Sequence, residues 1–250
     1  MPIRLYDNAR TVQDEPLLLA DFQRRSQKCY EQFAHQANLQ YADQPRSTLD
    51  LFPCASDTTL VFIHGGYWQW CQKSDFAFIA EYVLLQQCQC VLLEYDLAPN
   101  SSLTQIQAQM TQALDFIAHQ EWITPRIILA GHSAGAHLAA LQLQHPAIHS
   151  AVLLSGIYDL APIQSTHLNQ ALQLSTAEIQ RLSPAYNAQP SSVPYLIAYG
   201  ADELEELRWQ SEQYFQQRKT IDADLVSTAA YAGINHYNIL DYFFKHQFKR

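Results

Sequence analysis

Basic residues are scarce in this chain. Fifteen lysines and arginines stand against twenty-four aspartates and glutamates in 250 residues, a formal net charge of −9. The basic residues are scattered, which excludes the electrostatic footprint of a nucleic-acid binder or of a protein held to an anionic membrane. Long apolar runs are also missing, and no stretch approaches the roughly 18 residues a membrane span needs. The first residues, MPIRLYDNARTVQDEPLLLADF, are interrupted by Asp7, Arg10, Asp14 and Glu15, so they do not form a secretory h-region. A soluble, unexported, cytoplasmic protein is expected. The five cysteines, Cys29, Cys54, Cys71, Cys88 and Cys90, are odd in number and dispersed. That argues against a disulfide framework, and no cluster of further ligands suggests a metal site. Glycine is scarce, at seven residues, so any motif that uses several of them carries weight.

Hydrophobic residues make up 48% of the chain, enough to bury a sizeable core. From residue 46 onward, short apolar runs alternate with helical patterns. TLVFIH, CVLLEYD, RIILAG, SAVLLSG, PYLIAYG and DLVSTAAYAG lack polar alternation, as expected of strands buried on both faces of a parallel sheet. Helices are expected at Lys73–Gln87, Ser102–His119, Ala134–Gln144, Glu205–Arg218 and His236–Phe248. Such alternation implies a doubly wound α/β sheet. STLDLFP reads as an earlier antiparallel edge strand. Two segments break the pattern: a charged amphipathic helix over residues 14–36, within an N-terminal helical segment 1–45, and an insertion over 160–192. The insertion is longer than a crossover requires and is expected to act as a lid or pocket wall. One domain over 1–250 is the economical reading.

Four of the seven glycines, Gly65, Gly66, Gly131 and Gly135, bear on a site. In RIILAGHSAGAHLAAL, Gly131 and Gly135 bracket Ser133 where a strand becomes a helix. That is the setting of a nucleophile elbow, whose strained turn needs small neighbours and whose helix N–H groups face the serine. By chance the five-residue pattern arises in on the order of one per cent of such chains. A serine nucleophile needs a base held by an acid, in the chain order Ser, acid, His. His236 follows the last strand-like run directly, whereas His246 sits among basic residues near a helix end, so His236 is the expected base. For the acid, Asp202 comes first after the strand ending at Gly200 and has a short side chain. Glu203 is its nearest rival and Asp159 a weaker one, while Glu205 and Glu206 suit the start of a helix.

The oxyanion hole is expected one strand–helix–strand unit upstream, in LVFIHGGYWQW. There the N–H groups of Gly66 and Tyr67 would join that of Ala134. His64 is expected to brace this loop, and His132 and His137 to pack beside the elbow. Tyr67, Trp68, Trp70 and Tyr158 are candidates for an aromatic pocket wall.

HGGYW, GHSAGAHLA, SGIYDL, RLSPAY, GADELEELRWQS and the late NHYNIL together resemble the kynurenine formamidases (arylformamidases) and their esterase relatives near the hormone-sensitive-lipase group. The resemblance runs from about residue 41 to the end. It implies an α/β-hydrolase fold with Ser133 as nucleophile, His236 as base and Asp202 as orienting acid. It further implies hydrolysis of a small aromatic formamide, N-formylkynurenine first, through a formyl-enzyme, with no metal or organic cofactor. The expected partner is that small molecule, with a homodimer left open. A broad carboxylesterase for short acyl esters is the alternative. A non-catalytic binding protein on this fold would ordinarily have lost a member of the three, and all are present here. Leu207 and Trp209 stand where the family often has Phe and Arg, and Tyr237 where Phe commonly follows the histidine.

Overall fold

The computed structural model describes residues 6–186 and 189–249. Eight strands form one sheet: β1 (Gln36–Gln40), β2 (Thr48–Phe52), β3 (Thr58–Ile63), β4 (Gln89–Leu93), β5 (Arg126–His132), β6 (Ser150–Leu154), β7 (Tyr195–Gly200) and β8 (Val226–Tyr231). Their order is β1-β2-β4-β3-β5-β6-β7-β8. The pairs β1/β2 and β2/β4 are antiparallel, and every other pair is parallel. The α-helices are α1 (Glu15–Gln32), α2 (Phe78–Leu85), α3 (Leu103–Ala118), α4 (Ala134–Ala140), α5 (Asn169–Leu172), α6 (Thr176–Leu182), α7 (Glu205–Ile221) and α8 (Ile239–Tyr242).

Because side chains alternate along a strand, the apolar runs feed two cores. Val61, Ile63, Val91, Leu93 and Leu129 face one side, with α3, α4 and α7. Leu60, Phe62, Cys90, Leu92 and Ala130 face the other, with α1, α2 and α8. Helix starts follow local chemistry. Asp14 caps α1 by accepting from the Leu17 N–H, and Ser102 and Gln105 close a capping box on α3.

Three expectations are corrected here. β2 is not the edge strand, because β1 pairs outside it. β1, QANLQ, falls within the segment expected to be helical; it is mostly exposed, with Leu39 alone packed against the core. The last helix begins at Ile239 and passes into a π-turn over Phe243–Gln247, so His236 lies on the loop before it. All five cysteines are free thiols, with Cys88 and Cys90 both buried. No helix among the described residues is long and apolar enough to cross a membrane.

Candidate active site

Ser133 sits between β5 and α4 at φ 57°, ψ −119°, a strained backbone for a residue with a side chain. Its N–H donates to the Leu154 carbonyl at 2.8 Å, tying the turn to the next strand. The glycines around it are required by close approach. A Cβ on Gly135 would lie 2.1 Å from the Ile63 carbonyl oxygen, and one on Gly131 would lie 2.2 Å from that of Gly135. The helix after the serine therefore rests its backbone on the end of β3. A Cβ on Gly65 would reach 3.0 Å from the Ser133 Cβ, so the HGG loop lies directly against the nucleophile candidate.

That loop is held in an unusual conformation. Gly66 has φ +107°, and Tyr67 and Trp68 have φ 50° and 59°. The Gly66 carbonyl accepts from the N–H groups of Gln69 and Trp70, which closes the turn. Among the described residues, the N–H groups of Gly66, Tyr67 and Ala134 find no protein acceptor. His64 braces the loop from below. One ring nitrogen lies 2.7 Å from the Gly65 carbonyl oxygen and the other 3.0 Å from Glu94 Oε1. Burial alone would raise the Glu94 carboxyl, but His64, Arg46 and the Lys73 N–H outweigh it and hold the carboxyl below its ordinary range.

His236 is presented by the loop between β8 and α8, whose shape is fixed by Asn235 Oδ1 accepting from the N–H groups of Tyr237 and Asn238. Its Nδ1 lies 3.1 Å from Oε2 of Glu203, leaving Nε2 for the cavity. The acid beside the histidine is thus Glu203 and not Asp202. After Gly200 the chain turns tightly, with the Glu203 N–H donating back to the Gly200 carbonyl. Asp202 falls at the exposed tip, while the longer glutamate reaches back over the strand end, 5% exposed. Glu203 Oε1 accepts from Ser155 Oγ and from the Gly200 N–H, both at 2.6 Å, so the carboxylate is fully engaged. Asp159, the weaker rival, accepts from Tyr186 instead.

The two histidines flanking the serine do more than pack. His132 Nε2 donates to the His236 carbonyl at 2.8 Å, with the rings 4.6 Å apart, and so clamps the loop that carries His236. Burial, then the neighbouring His236, pushes the His132 pKa well down. His137 Nε2 donates to the Leu182 carbonyl, and burial lowers its pKa to about 4.

Ser133, His236, Gly65, Gly66 and Tyr67 line one cavity of about 410 Å³. Of the expected wall aromatics, Tyr67 and Trp70 line it, Trp70 being 49% exposed. Trp68 does not: it is fully buried, edge-on to the His137 ring. Tyr158 does not either, being buried and stacked 4.2 Å from Tyr214. The insertion lends His167 and Leu168, whereas residues from Tyr6 to Phe22 supply most of the remaining wall. Nothing in the sequence pattern of that N-terminal segment signals that it lines the cavity of the serine. Tyr237 also lines the cavity, and its hydroxyl donates to Glu15. Cys71 is a second nucleophile type on the wall, but burial raises its thiol to about 12, which keeps it protonated.

A sequence profile of the α/β-hydrolase fold matches residues 60–236, a span that contains Gly66, Ser133, Glu203 and His236. The chain belongs to the α/β-hydrolase family. Within it, this hydrolase is 30% identical over 221 residues to kynurenine formamidase of Salmo salar, covering 82% of this chain and 75% of that protein. It is 28% identical over 218 residues to kynurenine formamidase of Danio rerio, covering 80% and 74%. The resemblance seen in the motifs is thus matched by similarity over about four-fifths of the chain. Among solved structures, the hydrolase superposes on a Silicibacter sp. protein described as a thioesterase with a TM-score of 0.89 at 22% identity, covering 98% and 95% of the chains. An esterase of Pyrobaculum calidifontis gives 0.71 at 16%, covering 93% and 88%. At these identities the structural likeness speaks for the fold alone.

Proposed function

We propose that this hydrolase cleaves a small aromatic formamide, N-formylkynurenine first, to the free aniline (kynurenine) and formate. The observation that carries the reading is the grouping of Ser133 and a Glu203-backed His236 on one aromatic cavity, in a chain related to kynurenine formamidases over four-fifths of its length. A volume of about 410 Å³ suits a single-ring substrate.

In this mechanism Ser133 Oγ attacks the formyl carbon while His236 Nε2 takes the hydroxyl proton. The carbonyl oxygen becomes an oxyanion held by the N–H groups of Gly66, Tyr67 and Ala134, which have no competing acceptor among the described residues. Collapse breaks the C–N bond, and His236 returns its proton to the leaving aniline nitrogen. Water, deprotonated by His236, then attacks the formyl ester, releasing formate and restoring Ser133. Glu203 fixes the histidine with Nδ1–H toward the carboxylate and steadies the charge His236 acquires.

Parallel kinetics with N-formylkynurenine and p-nitrophenyl acetate test the reading. Formate release with the higher kcat/KM on the formamide is expected, because ring and head-group contacts act at the transition state. Fast ester cleavage with no formate release reassigns the protein as a short-chain carboxylesterase.

A further inference from the structure

The cavity wall is lopsided in charge. Asp7 and Glu15 line it, and no lysine or arginine does among the described residues. Apart from His132 and His236, the one wall side chain able to carry positive charge is His167, which is exposed. Glu15 accepts from the Tyr237 hydroxyl. The Asp7 carboxylate makes no hydrogen bond or ion pair with any described residue.

A third acceptor stands beside these two. The single proton of the Tyr67 hydroxyl goes to the Tyr6 carbonyl at 2.8 Å. The Asn8 atom 2.9 Å from the same hydroxyl oxygen must therefore be the amide NH₂, and Oδ1 turns away. Asn8 is 6% exposed and lines the cavity, yet its Oδ1 has no partner. A buried acceptor left unmatched is costly, and a donor-bearing ligand relieves it. The local field is felt by neighbouring groups. Burial raises the Tyr67 and Tyr237 hydroxyls, and the charges of Asp7 and Glu15 push both further in the same direction.

We propose that Asp7, Asn8 and Glu15 form a subsite for a protonated amine, so that the hydrolase prefers cationic aryl substrates, accepts zwitterions through their ammonium group, and discriminates against anions. The cleaved bond is taken from the formamidase reading; the head-group preference rests on the wall alone. An ammonium meets two carboxylates beside an unmatched amide oxygen, whereas a carboxylate meets like charge with no lysine or arginine among the described wall residues to offset it. For N-formylkynurenine the ammonium carries recognition and the carboxylate adds nothing. Its decarboxylated amine is the better substrate.

The test uses the full chain at low salt and three ortho-acyl formanilides that differ only in ending their side chain with an ammonium, a methyl or a carboxylate. The same three head groups are also placed on phenyl acetates. The expected kcat/KM order is cation, neutral, anion, spanning about 100-fold between the extremes. Asp7→Asn should cut the cation-to-neutral ratio about tenfold, and Asp7→Lys should invert the cation-to-anion ratio. A ratio near one in both series, or one that neither variant moves, overturns the subsite. Cleavage of the esters alone, with the charge order intact, removes the formamidase reading and upholds the subsite.

Discussion

Two segments lie outside the strand–helix alternation, and they serve the cavity unequally. The insertion over 160–192 gives it two residues, His167 and Leu168. Most of its apolar side chains, among them Leu172, Leu174, Ile179 and Leu182, are instead buried in the core with α3 and α7. Its polar ties run the same way, Thr104 donating to Glu178 and His137 to the Leu182 carbonyl. The N-terminal segment is built the other way round. Tyr6 and Asn8 hydrogen-bond the Tyr67 hydroxyl on the HGG loop, Glu15 accepts from Tyr237, and Arg25 of α1 forms a bidentate pair with Asp241 of α8. The short N-terminal stretch is the wall, and the long insertion is mainly a buttress. The length of an irregular segment shows that it does something, and its apolar content decides which of the two it does.

The contrast presupposes that both segments serve Ser133. Ser133→Ala should lower kcat by about 10⁴-fold or more with the melting temperature retained, since one small hydroxyl contributes little packing. Near-normal turnover would leave the two segments enclosing something other than this chemistry. Glu203→Gln should cost on the order of 10²- to 10⁴-fold, while exposed Asp202→Asn stays within about twofold. Parallel kinetics showing the reverse ranking would return the acid to Asp202.

The buttress should reveal itself in acid. His137 is neutral and buried, with a pKa near 4 against 6.5 when unfolded. Below pH 6.5 the unfolded chain therefore binds a proton that the folded chain refuses. Stability should fall as pH drops from about 6.5 to 4, by up to roughly 3 kcal/mol from this group, with no contribution above that window. His137→Gln keeps a donor for the Leu182 carbonyl and should flatten the urea-midpoint profile over that range; an unchanged slope assigns the acid sensitivity elsewhere. The wall should reveal itself in substrate binding. Tyr67→Phe strands the Asn8 amide NH₂ and the Tyr6 carbonyl, so KM should rise about tenfold and stability drop by about 2 kcal/mol. Gln69→Ala removes the tie to the Leu168 carbonyl on the insertion and should change KM less than twofold. Equal effects of the two variants would erase the distinction.

What was legible in the sequence depended on whether a physical signal was local. The parallel strands β3–β7 announce themselves by apolar runs, and the elbow by glycines that backbone contact demands, whereas β8, expected to be buried on both faces, is an outer strand left largely exposed. His236 was legible because chain order leaves few histidines downstream. β1 was not, since an outer strand mostly exposed to solvent needs no apolar run. Choosing between Asp202 and Glu203 turned on the direction of a single turn after Gly200, which adjacent acidic residues do not encode. Trp68 and Tyr158 were placed on the wall because aromatic residues near a motif look alike whether they face a cavity or a core. The Asp7–Asn8 contribution depends on a contact with residues some sixty positions away in the chain.

The contact between Gly135 and the Ile63 carbonyl also separates two kinds of change. The spacing between the serine and the N–H groups facing it is set by main chain lying on main chain. The surfaces that line the cavity are side chains, many of them lent by the N-terminal segment. Replacing Asp7 or Trp70 should therefore alter which molecules are welcomed without moving the atoms that react. A replacement at Gly135 shifts those atoms whatever molecule arrives. The hydrolase is arranged so that its taste can be re-educated while its chemistry stays fixed.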